Sequence, residues 1–429
     1  MHKRIASAQT LLGLGIVARI VAFSTVLPIT IDSGHIDIIK YAATFHRPAP
    51  MSAGQFGFQP PLYYFLAAPL WAASHSPKIV QLLSLALSIL TLLLFYRLLY
   101  KEEIIQGEDA RYISFLLICF LPSLILSQIV IDNDTLAIFL GALATLYIFR
   151  VLKHPTVRQI LLLGLAAAAG LLTKANFLPL LPVLGAIVFL ALQRSRTAMR
   201  SAAWAGVFLL AVCTLGSEKF IQNYLEAGNP FASALDGTYS WIPGQEQTYR
   251  GLASFVDINL FKVVLYPTTI EKTDGSYPLL LYETTWYPYP NRRLPYAILG
   301  SVTNLLAIIP TIFFFRGIGR LTTIDPGDHQ WRLAGISASL AFLLGSIGLL
   351  VAVIAKYHVW SVMSARLFYP SLSGFIFPFA LGTKNASKWS WTALHILAGC
   401  FLVLLAGMAL YRVLFVFYPG SLEILKRMT

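Results

Sequence analysis

The sequence predicts an all-α polytopic membrane protein with about eleven transmembrane helices. Of its 429 residues, 57% are hydrophobic and only 12% are charged, a composition that excludes a water-soluble domain. The hydrophobic residues form repeated runs of membrane length. The net charge of +13 comes from short Lys and Arg clusters between these runs rather than from one basic face. This pattern indicates membrane orientation and argues against a nucleic-acid partner.

The individual spans follow from the ~20 residues that a helix needs to cross the hydrocarbon core. Residues 60–74 are apolar, but this stretch is short and begins with prolines, so it predicts a juxtamembrane or re-entrant helix rather than a crossing. If it does cross, the count becomes twelve and every later segment changes side. The predicted spans lie near residues 6–28, 78–99, 112–131, 133–150, 158–173, 176–193, 201–221, 296–315, 332–355, 365–382 and 390–414.

The distribution of basic residues favours eleven spans with the amino terminus inside, because cytoplasmic loops are enriched in Lys and Arg. The short outer connections near 132 and 174 then contain a single basic residue, Lys174. This arrangement defines an N-terminal membrane module, 1–221, with a first outer loop at 31–77, an outer segment at 222–295, and a C-terminal module at 296–429. Every predicted inner segment is basic, with Lys3/Arg4, Arg97/Lys101/Arg111, Arg150/Lys153/Arg158, Arg194/Arg196/Arg200, Arg316/Arg320/Arg332 and Lys384/Lys388.

Several classes of chemistry find no support in the sequence. Cys119, Cys213 and Cys400 all lie inside apolar runs, so we expect neither a disulfide framework nor a cysteine metal site. No Walker, Rossmann or zinc motif occurs in its required context, and no internal repeat is visible. Arg19 lies within the first predicted span, ~20 Å along the helix axis from Asp32, and we expect it to have a structural partner inside the bundle.

The first outer loop carries acidic residues at the membrane face, beginning with Asp32 directly after the first span. A carboxylate partly shielded from water there can act as a general base, which is worth typically 10²- to 10⁴-fold in rate. The alternative is a helix cap or a solvated loop charge. His35 follows three residues later, on the same face of a helical turn, and is either a metal ligand or a hydrogen-bonded structural residue.

Two cations also fall on the predicted outer face, Lys174 between two spans and Arg366 before another. Each can extend to the lipid headgroups or hold an anionic phosphate, and Arg366 can make a bidentate contact. Asn133 and Asp134 begin the fourth predicted span, where Asp134 is either a helix cap or a functional acid.

The order and common face of these motifs resemble the GT-C superfamily of integral-membrane glycosyltransferases. They are similar to the family that includes protein O-mannosyltransferases and the lipid A aminoarabinose transferase. The motifs that carry the resemblance are Asp32-x-x-His35, Pro60-Pro61-Leu62-Tyr63-Tyr64, Asn133-Asp134, Gly170-Leu-Leu-Thr-Lys174 and Ala365-Arg366-Leu-x-Tyr369-Pro370.

The resemblance implies transfer of a sugar from a polyprenyl-phosphate donor to a lipid, glycan or protein acceptor on the extracytoplasmic face. It also implies a multi-pass protein of a bacterial or archaeal plasma membrane. Asp32, with Asp37 as a second candidate, would be the catalytic acid. Lys174 and Arg366 would bind the donor phosphate. The residues expected to support the site are His35, Gln59, Tyr63, Asn133 and Asp134.

Two departures from the family pattern leave the metal open. Where the family commonly has a second acid beside the first, this chain has Ser33, and the position before the double proline is Gln59. Asp37 could compensate, and a Mg²⁺ or Mn²⁺ ion at Asp32 and His35 is one alternative.

Two rival functions remain open. One is a transporter or lipid flippase, which would favour charges at the membrane midplane and repeated halves. The other is an assembly subunit of a glycan-building complex.

The predicted topology can be tested by cysteine labelling from each side of the membrane. An introduced cysteine at Ser195 should be labelled from the cytoplasmic side, and cysteines within residues 222–295 from the outside, because only this arrangement makes every inner loop basic. Labelling of the cysteine at Ser195 from the outside only would contradict the eleven-span topology.

Overall fold

In a computed structural model of the protein, every regular element of the described residues is helical. The structure describes residues 2–28, 34–194, 206, 217–232, 249–265, 275–287, 294–323, 330–358 and 364–412. The N-terminal half contains α1 His2–Thr25, α2 Gly34–Phe45, α3 Leu62–Ser74, α4 Pro77–Tyr96, α5 Glu108–Phe120, α6 Pro122–Ile129, α7 Asn133–Lys153, α8 Val157–Leu171 and α9 Leu180–Arg194. The remainder contains α10 Glu218–Ala227, α11 Ala253–Val256, α12 Leu260–Leu265, α13 Tyr277–Trp286, α14 Leu294–Leu306, α15 Ile308–Leu321, α16 Gln330–Tyr357, α17 Ser373–Gly382 and α18 Lys388–Arg412.

The lengths of the helices confirm a multi-pass membrane protein but not the number of eleven spans. Within the described residues, six helical stretches are long and apolar enough to cross a membrane, and α5 and α6, bent by 48°, would make a seventh. The six stretches are Ser7–Thr25, Pro77–Lys101, Asn133–Lys153, Ile298–Leu321, Gln330–Tyr357 and Lys388–Gly407.

Three more predicted spans, those at 158–173, 176–193 and 365–382, appear as shorter apolar helices, and the local sequence gives a reason for the first and the last. The helix predicted at 158–173 ends at Leu171, before the turn that holds Lys174. The span predicted at 365–382 begins with two short 3₁₀ turns, Ala365–Leu367 and Tyr369–Ser371, and its α-helix has only 10 residues. Most of the span predicted at 201–221 lies outside the described residues.

The first outer loop contains two short helices, α2 and α3. With 13 residues, α3 is ~20 Å long, which is too short for a hydrocarbon core of ~30 Å. This length agrees with the prediction that residues 60–74 form a juxtamembrane helix. Pro61 precedes the first turn of α3, where a missing backbone N–H is tolerated.

The helix α7 lies at the centre of the bundle and is the most buried of the candidate spans. It packs against α4, α8, α9 and α16 and against the 3₁₀ turn Tyr369–Ser371. Gly141 permits the last of these contacts, because a Cβ at this position would overlap the Pro370 carbonyl oxygen. The amino-terminal end of α7 is therefore surrounded by protein, and polar groups placed there must find partners within the chain.

Arg19 has the structural role that the sequence predicts for it. Its guanidinium is fully buried and donates to the carbonyl oxygens of Gly15, Ile118 and Cys119 at 3.0–3.2 Å and to Ser88 Oγ at 3.0 Å. These bonds join α1 to α4 and α5. A buried cation that binds carbonyl oxygens satisfies its donors inside the bundle, and Arg19 is thus a packing element.

The helix α10 holds the first outer loop through one polar face. Glu226 Oε2 accepts from the Met51 N–H at 2.7 Å, and Asn223 Nδ2 donates to the Phe58 carbonyl oxygen at 3.0 Å. Lys219 donates to the Ala49 carbonyl oxygen at 2.5 Å. These three side chains are spaced by about one turn, so α10 is bound along its length to loop residues 49–58.

The helices α15 and α17 pack backbone against backbone at two glycines. An added Cβ at Gly317 would overlap the Pro378 carbonyl oxygen, and one at Gly382 would overlap the Phe313 carbonyl oxygen. Small residues of this kind let membrane helices approach closely, so that dispersion contacts take the place of a hydrophobic driving force.

Gly317→Ala should destabilise the protein by about 1–3 kcal/mol, because the added methyl group meets backbone that cannot rotate away. Gly319→Ala on the same helix is the matched control, since nothing lies within 4 Å of a Cβ at that position. The control should be neutral or slightly stabilising. Thermal unfolding in one detergent measures both, and equal melting temperatures for the two variants would contradict the close packing.

Candidate active site

The amino-terminal end of α7 is capped by a buried carboxylate, that of Asp132. Its backbone is extended, with φ −154° and ψ 147°, and its Oδ1 accepts from the Asp134 N–H at 2.9 Å. From the sequence, Asp134 was either a helix cap or a functional acid. The structure gives the role of cap to Asp132, because an N-cap residue precedes the first helical turn and accepts from an N–H two or three residues later.

Two cations from distant parts of the chain meet the Asp132 and Asp134 carboxylates. Arg366 Nη1 lies 3.5 Å from Asp132 Oδ2, and Arg366 Nε lies 3.9 Å from Asp134 Oδ2. Lys174 Nζ forms an ion pair with Asp134 Oδ1. The Arg366 side chain is 39% exposed, whereas that of Lys174 is only 10% exposed. Arg366 therefore lies at the accessible side of this charge cluster, defined as Asp132, Asp134, Lys174 and Arg366.

A tight turn after α8 holds Lys174 in place. The N–H groups of Thr173 and Lys174 both donate to the Gly170 carbonyl oxygen, at 3.0 and 2.8 Å. Gly170 is needed there because a Cβ would overlap the ring of Phe177. The turn fixes the backbone of Lys174, and the burial of its side chain holds the ammonium group at Asp134.

The 3₁₀ turn that carries Arg366 is fixed from two sides. The Ala365 N–H donates to Thr284 Oγ1 of α13 at 3.1 Å. Asn176 Nδ2, just after the lysine turn, donates to the Leu367 carbonyl oxygen at 3.0 Å. The segments that carry the two cations are thus hydrogen-bonded to each other, and the α13 contact ties the outer segment to the site.

The imidazole of His35, near the start of α2, contacts the charge cluster directly. Its Nε2 lies 3.4 Å from Asp132 Oδ1, and its Nδ1 lies 2.9 Å from the Tyr64 hydroxyl. The ring stacks on Phe56 with centroids 4.0 Å apart and planes at 8°. His35 is only 2% exposed, so the first outer loop reaches the cluster through a buried side chain.

Asn133 ties the same loop to α7 and to the lysine turn. Its Nδ2 donates to Gln59 Oε1 at 3.2 Å and to the Thr173 carbonyl oxygen at 3.1 Å. Tyr63 is also buried, but its hydroxyl lies 3.5 Å from Ser84 Oγ of α4. Gln59 and Asn133 therefore border the charge cluster, and the Tyr63 hydroxyl lies between Ser84 of α4 and the Asp132 backbone.

The two acids expected to be catalytic are not part of the described cluster. Asp32 lies outside the described residues, three positions before His35. Asp37 lies on the exposed face of α2, where its side chain is 59% exposed and pairs with Lys40 at 3.4 Å. The structure thus separates Asp37 from His35, although both belong to the first turns of one helix.

The charges around Asp132 determine its protonation state. Burial alone would raise the pKa of the Asp132 carboxyl, but His35, Lys174 and Arg366 outweigh this effect and hold the pKa below its usual range. The carboxylate is therefore ionised at neutral pH. Within the described part of the chain, no three His, Cys, Asp or Glu side chains are arranged to hold a metal ion.

Sequence reasoning missed three side chains at or near this site. Asp132 directly precedes the predicted span at 133–150 and was not a candidate there, and Tyr64 entered only as part of the motif that begins at Pro60. A helix that starts at Leu62 would have indicated a separate role for Tyr64, because consecutive tyrosines on a helix point in directions about 100° apart. Tyr63 and Tyr64 therefore face different neighbours. Glu283 of α13 is one of several acids in the outer segment, and nothing in the sequence distinguishes it from the others.

Comparisons with solved structures find membrane glycosyltransferases. The chain is similar to ArnT from Cupriavidus metallidurans in the apo state, at 13% identity and a TM-score of 0.40, over 88% of this chain and 78% of that one. The same ArnT bound to undecaprenyl phosphate gives 13% identity and a TM-score of 0.37, over 89% and 77%. The arabinosyltransferase EmbB from Mycobacterium smegmatis gives 12% and 0.38, over 91% of this chain and 42% of that one.

No protein-family model matches the sequence, and no curated protein is significantly similar to it. TM-scores of 0.40 and below, at such low identity, do not assign a function. The function must therefore follow from the charge cluster and the residues around it.

Glu283 is a second buried acid, next to the threonine that binds the Arg366 turn. It is only 4% exposed, and its Oε2 has no hydrogen-bond partner among the described residues. Burial raises its pKa to about 8. The folded protein therefore holds a proton on Glu283 over a pH range in which an unfolded chain has lost it.

Glu283→Gln should remove the fall in stability that the wild type shows as the pH rises. Between about pH 4.5 and 8 the folded state binds more protons at this site than the unfolded state, so the free energy of unfolding of the wild type falls as pH rises. The variant lacks this loss and should be more stable by a few kcal/mol at pH 8.5, with little difference at pH 4.5. Melting temperatures across this range measure the effect. The exposed Glu218, changed to Gln, is the control, and parallel profiles for all three proteins would contradict the protonated state of Glu283.

Proposed function

We propose that this chain is an integral-membrane glycosyltransferase that moves a sugar from a polyprenyl-phosphate donor to an acceptor on the extracytoplasmic face. The observation that carries the proposal is the meeting of Lys174 and Arg366 at one carboxylate pair, beside the first outer loop. Two cations held together at the end of membrane helices are suited to an anionic headgroup whose lipid tail remains in the bilayer.

The two cations are suited to binding the phosphate of the donor and to stabilising that phosphate as it leaves. Arg366 is accessible and has a planar fork of donors that matches phosphate oxygens. Lys174 is buried and acts as a fixed point charge. During transfer the bond between the anomeric carbon and the phosphate oxygen breaks, and both electrons leave with the phosphate. Positive charge placed beforehand at that oxygen stabilises the anion as it forms.

The acceptor oxygen forms the new bond to the anomeric carbon, and its proton must go to a base. We propose Asp32 for this step, because it lies three residues from His35, which contacts the cluster. Asp37 is a less suitable candidate, since it lies on the exposed face of α2 beside Lys40. If the acceptor is itself a phosphate, no proton has to be removed, and Asp32 would position the acceptor or bind a divalent cation such as Mg²⁺ or Mn²⁺.

Hydrogen bonds made by the neighbours of the cluster would maintain the geometry of the site during turnover. Gln59 and Asn133 join the first outer loop to α7, and Asn176 joins the two cation-bearing turns. A transporter would instead be expected to use charges near the membrane midplane. The buried Arg19 is bound to four groups of the bundle, so the observation that could favour transport has a structural explanation.

Two classes of variant should separate donor binding from chemistry. Arg366→Ala and Lys174→Ala should weaken donor binding about 10- to 100-fold and reduce turnover, because charge-assisted contacts are worth ~1.5–3 kcal/mol. Asp32→Asn should leave donor binding nearly unchanged and lower turnover by about 10²- to 10⁴-fold if the acceptor is a hydroxyl. Release of polyprenyl phosphate from a panel of polyprenyl-phosphate sugars, with purified protein in lipid, measures turnover.

Lys101→Ala, an exposed lysine on the turn after α4, is the charge-matched control and should behave as the wild type. Thermal unfolding shows whether each variant is folded. Wild-type turnover by Asp32→Asn, with a verified donor and acceptor, would remove Asp32 as the base. Unchanged donor binding by folded Arg366→Ala would remove the proposed phosphate site.

A further inference from the structure

A continuous line of polar contacts runs from α3 to the accessible arginine of the charge cluster. The Tyr64 hydroxyl lies 2.9 Å from His35 Nδ1, and His35 Nε2 lies 3.4 Å from Asp132 Oδ1. The other oxygen of Asp132 lies 3.5 Å from Arg366 Nη1. Tyr64, His35 and Asp132 are all at least 95% buried. We call Tyr64, His35 and Asp132 the relay.

The chemistry of these groups sets the direction of the contacts. An ionised carboxylate only accepts hydrogen bonds, so His35 must present an N–H at Nε2 to Asp132. Both the neutral ring and the imidazolium donate from Nε2 to Asp132, whereas Nδ1 accepts from the Tyr64 hydroxyl in the neutral ring and donates to it in the imidazolium. Burial, with the negative charge of Asp132 in addition, raises the pKa of Tyr64 well above its ordinary value, so the phenol keeps the proton that it donates.

This direction fixes the orientation of the Asp132 carboxylate. Its Oδ1 already accepts from the Asp134 N–H at 2.9 Å, and His35 faces the same oxygen. With Oδ1 committed to the backbone and to the imidazole, Oδ2 faces Arg366. The arginine side chain is 39% exposed, and a side chain of this length loses rotamer freedom when a charged partner holds it. A fixed anion beside it limits its rotamers before any ligand arrives.

The imidazole also has a packing role, which uses different atoms. Its face stacks on Phe56 at 4.0 Å, whereas both ring nitrogens lie at the edge and face polar partners. Packing and hydrogen bonding can therefore be removed separately by substitution at one position.

We propose that Tyr64 and His35 are positioning residues that act through Asp132 to hold Arg366 ready for the donor phosphate. The inference rests on the proposed function, because it assigns the phosphate to Arg366. Neither residue needs to touch the substrate. The first outer loop would in this way control the affinity of the site for the donor, separately from the chemistry at Asp32.

The experiment uses the purified full-length protein in lipid nanodiscs, with decaprenyl phosphate as the probe. Tyr64→Phe removes one oxygen, and His35→Phe keeps an aromatic ring on Phe56 without polar edges. Each should weaken binding about 5- to 20-fold, as expected for a group that orients a charged contact. His35→Gln should remain within about threefold of the wild type, because its amide can donate to Asp132 and accept from Tyr64.

A double-mutant cycle distinguishes positioning from a general structural role. In an Arg366→Ala background, Tyr64→Phe should cause no further loss of binding, since the group that it positions is gone. Tyr100→Phe is the matched control for removal of a phenol oxygen, because the Tyr100 hydroxyl is buried, far along the chain on the turn after α4, and has no hydrogen-bond partner in the described residues. It should bind the probe as the wild type does.

The outcomes separate the two proposals. Unchanged binding by folded Arg366→Ala would overturn the proposed phosphate site and the relay with it. If Arg366→Ala weakens binding while Tyr64→Phe does not, or if their losses add in the double variant, the relay alone is overturned. Tyr64→Phe keeps the inference testable even if the His35 variants fail to fold, since it alters a single atom of the buried core.

Discussion

Two carboxylates buried at the start of one helix impose the main constraint on this structure. Asp132 and Asp134 lie at the amino-terminal end of α7, where both are at least 95% buried. The helix dipole favours negative charge there, but it is worth only about 0.3–2 kcal/mol, whereas an uncompensated buried charge costs several kcal/mol. Cations must therefore come to the carboxylates, and the chain brings them from the turn after α8 and from the 3₁₀ turn before α17.

This requirement adds polar links between segments that also share apolar clusters. The lysine turn binds the arginine turn through Asn176, α13 binds the arginine turn through Thr284, and the first outer loop binds α7 through Asn133. Hydrogen bonds of this kind add directional specificity to a bundle whose helices are otherwise held by close packing. The same contacts that neutralise the carboxylates also place an accessible arginine at the surface of the cluster, so stability and binding capacity share one set of residues.

The sequence allowed the helical membrane fold to be predicted because long apolar runs can satisfy their backbone groups only as helices within a bilayer. It did not determine how many runs span, since Pro370 and the turn at Gly170 shorten neighbouring helices in ways that hydropathy does not register. Lys174 and Arg366 could be selected because charged residues next to apolar runs are conspicuous.

The partners of these cations could not be selected in the same way. Whether Asp132 or Asp134 caps α7 depends on where the first helical φ and ψ occur, and the two possible starts differ by only two residues. The contact of Tyr64 with His35 joins positions 29 residues apart through two separate helices. No periodicity within either helix encodes that distance, and only the packing of α2 on α3 creates it.

The attachment of α10 to the first outer loop has a consequence for motion. Its side chains hold the loop at residues 49, 51 and 58, and the loop between them contributes Phe56, which stacks on His35. Three anchors on one short rigid helix prevent the loop from peeling away one residue at a time. Any opening of this loop would have to break all three hydrogen bonds or carry α10 with it, and collective movements of that size occur on the microsecond to millisecond timescale rather than in nanoseconds.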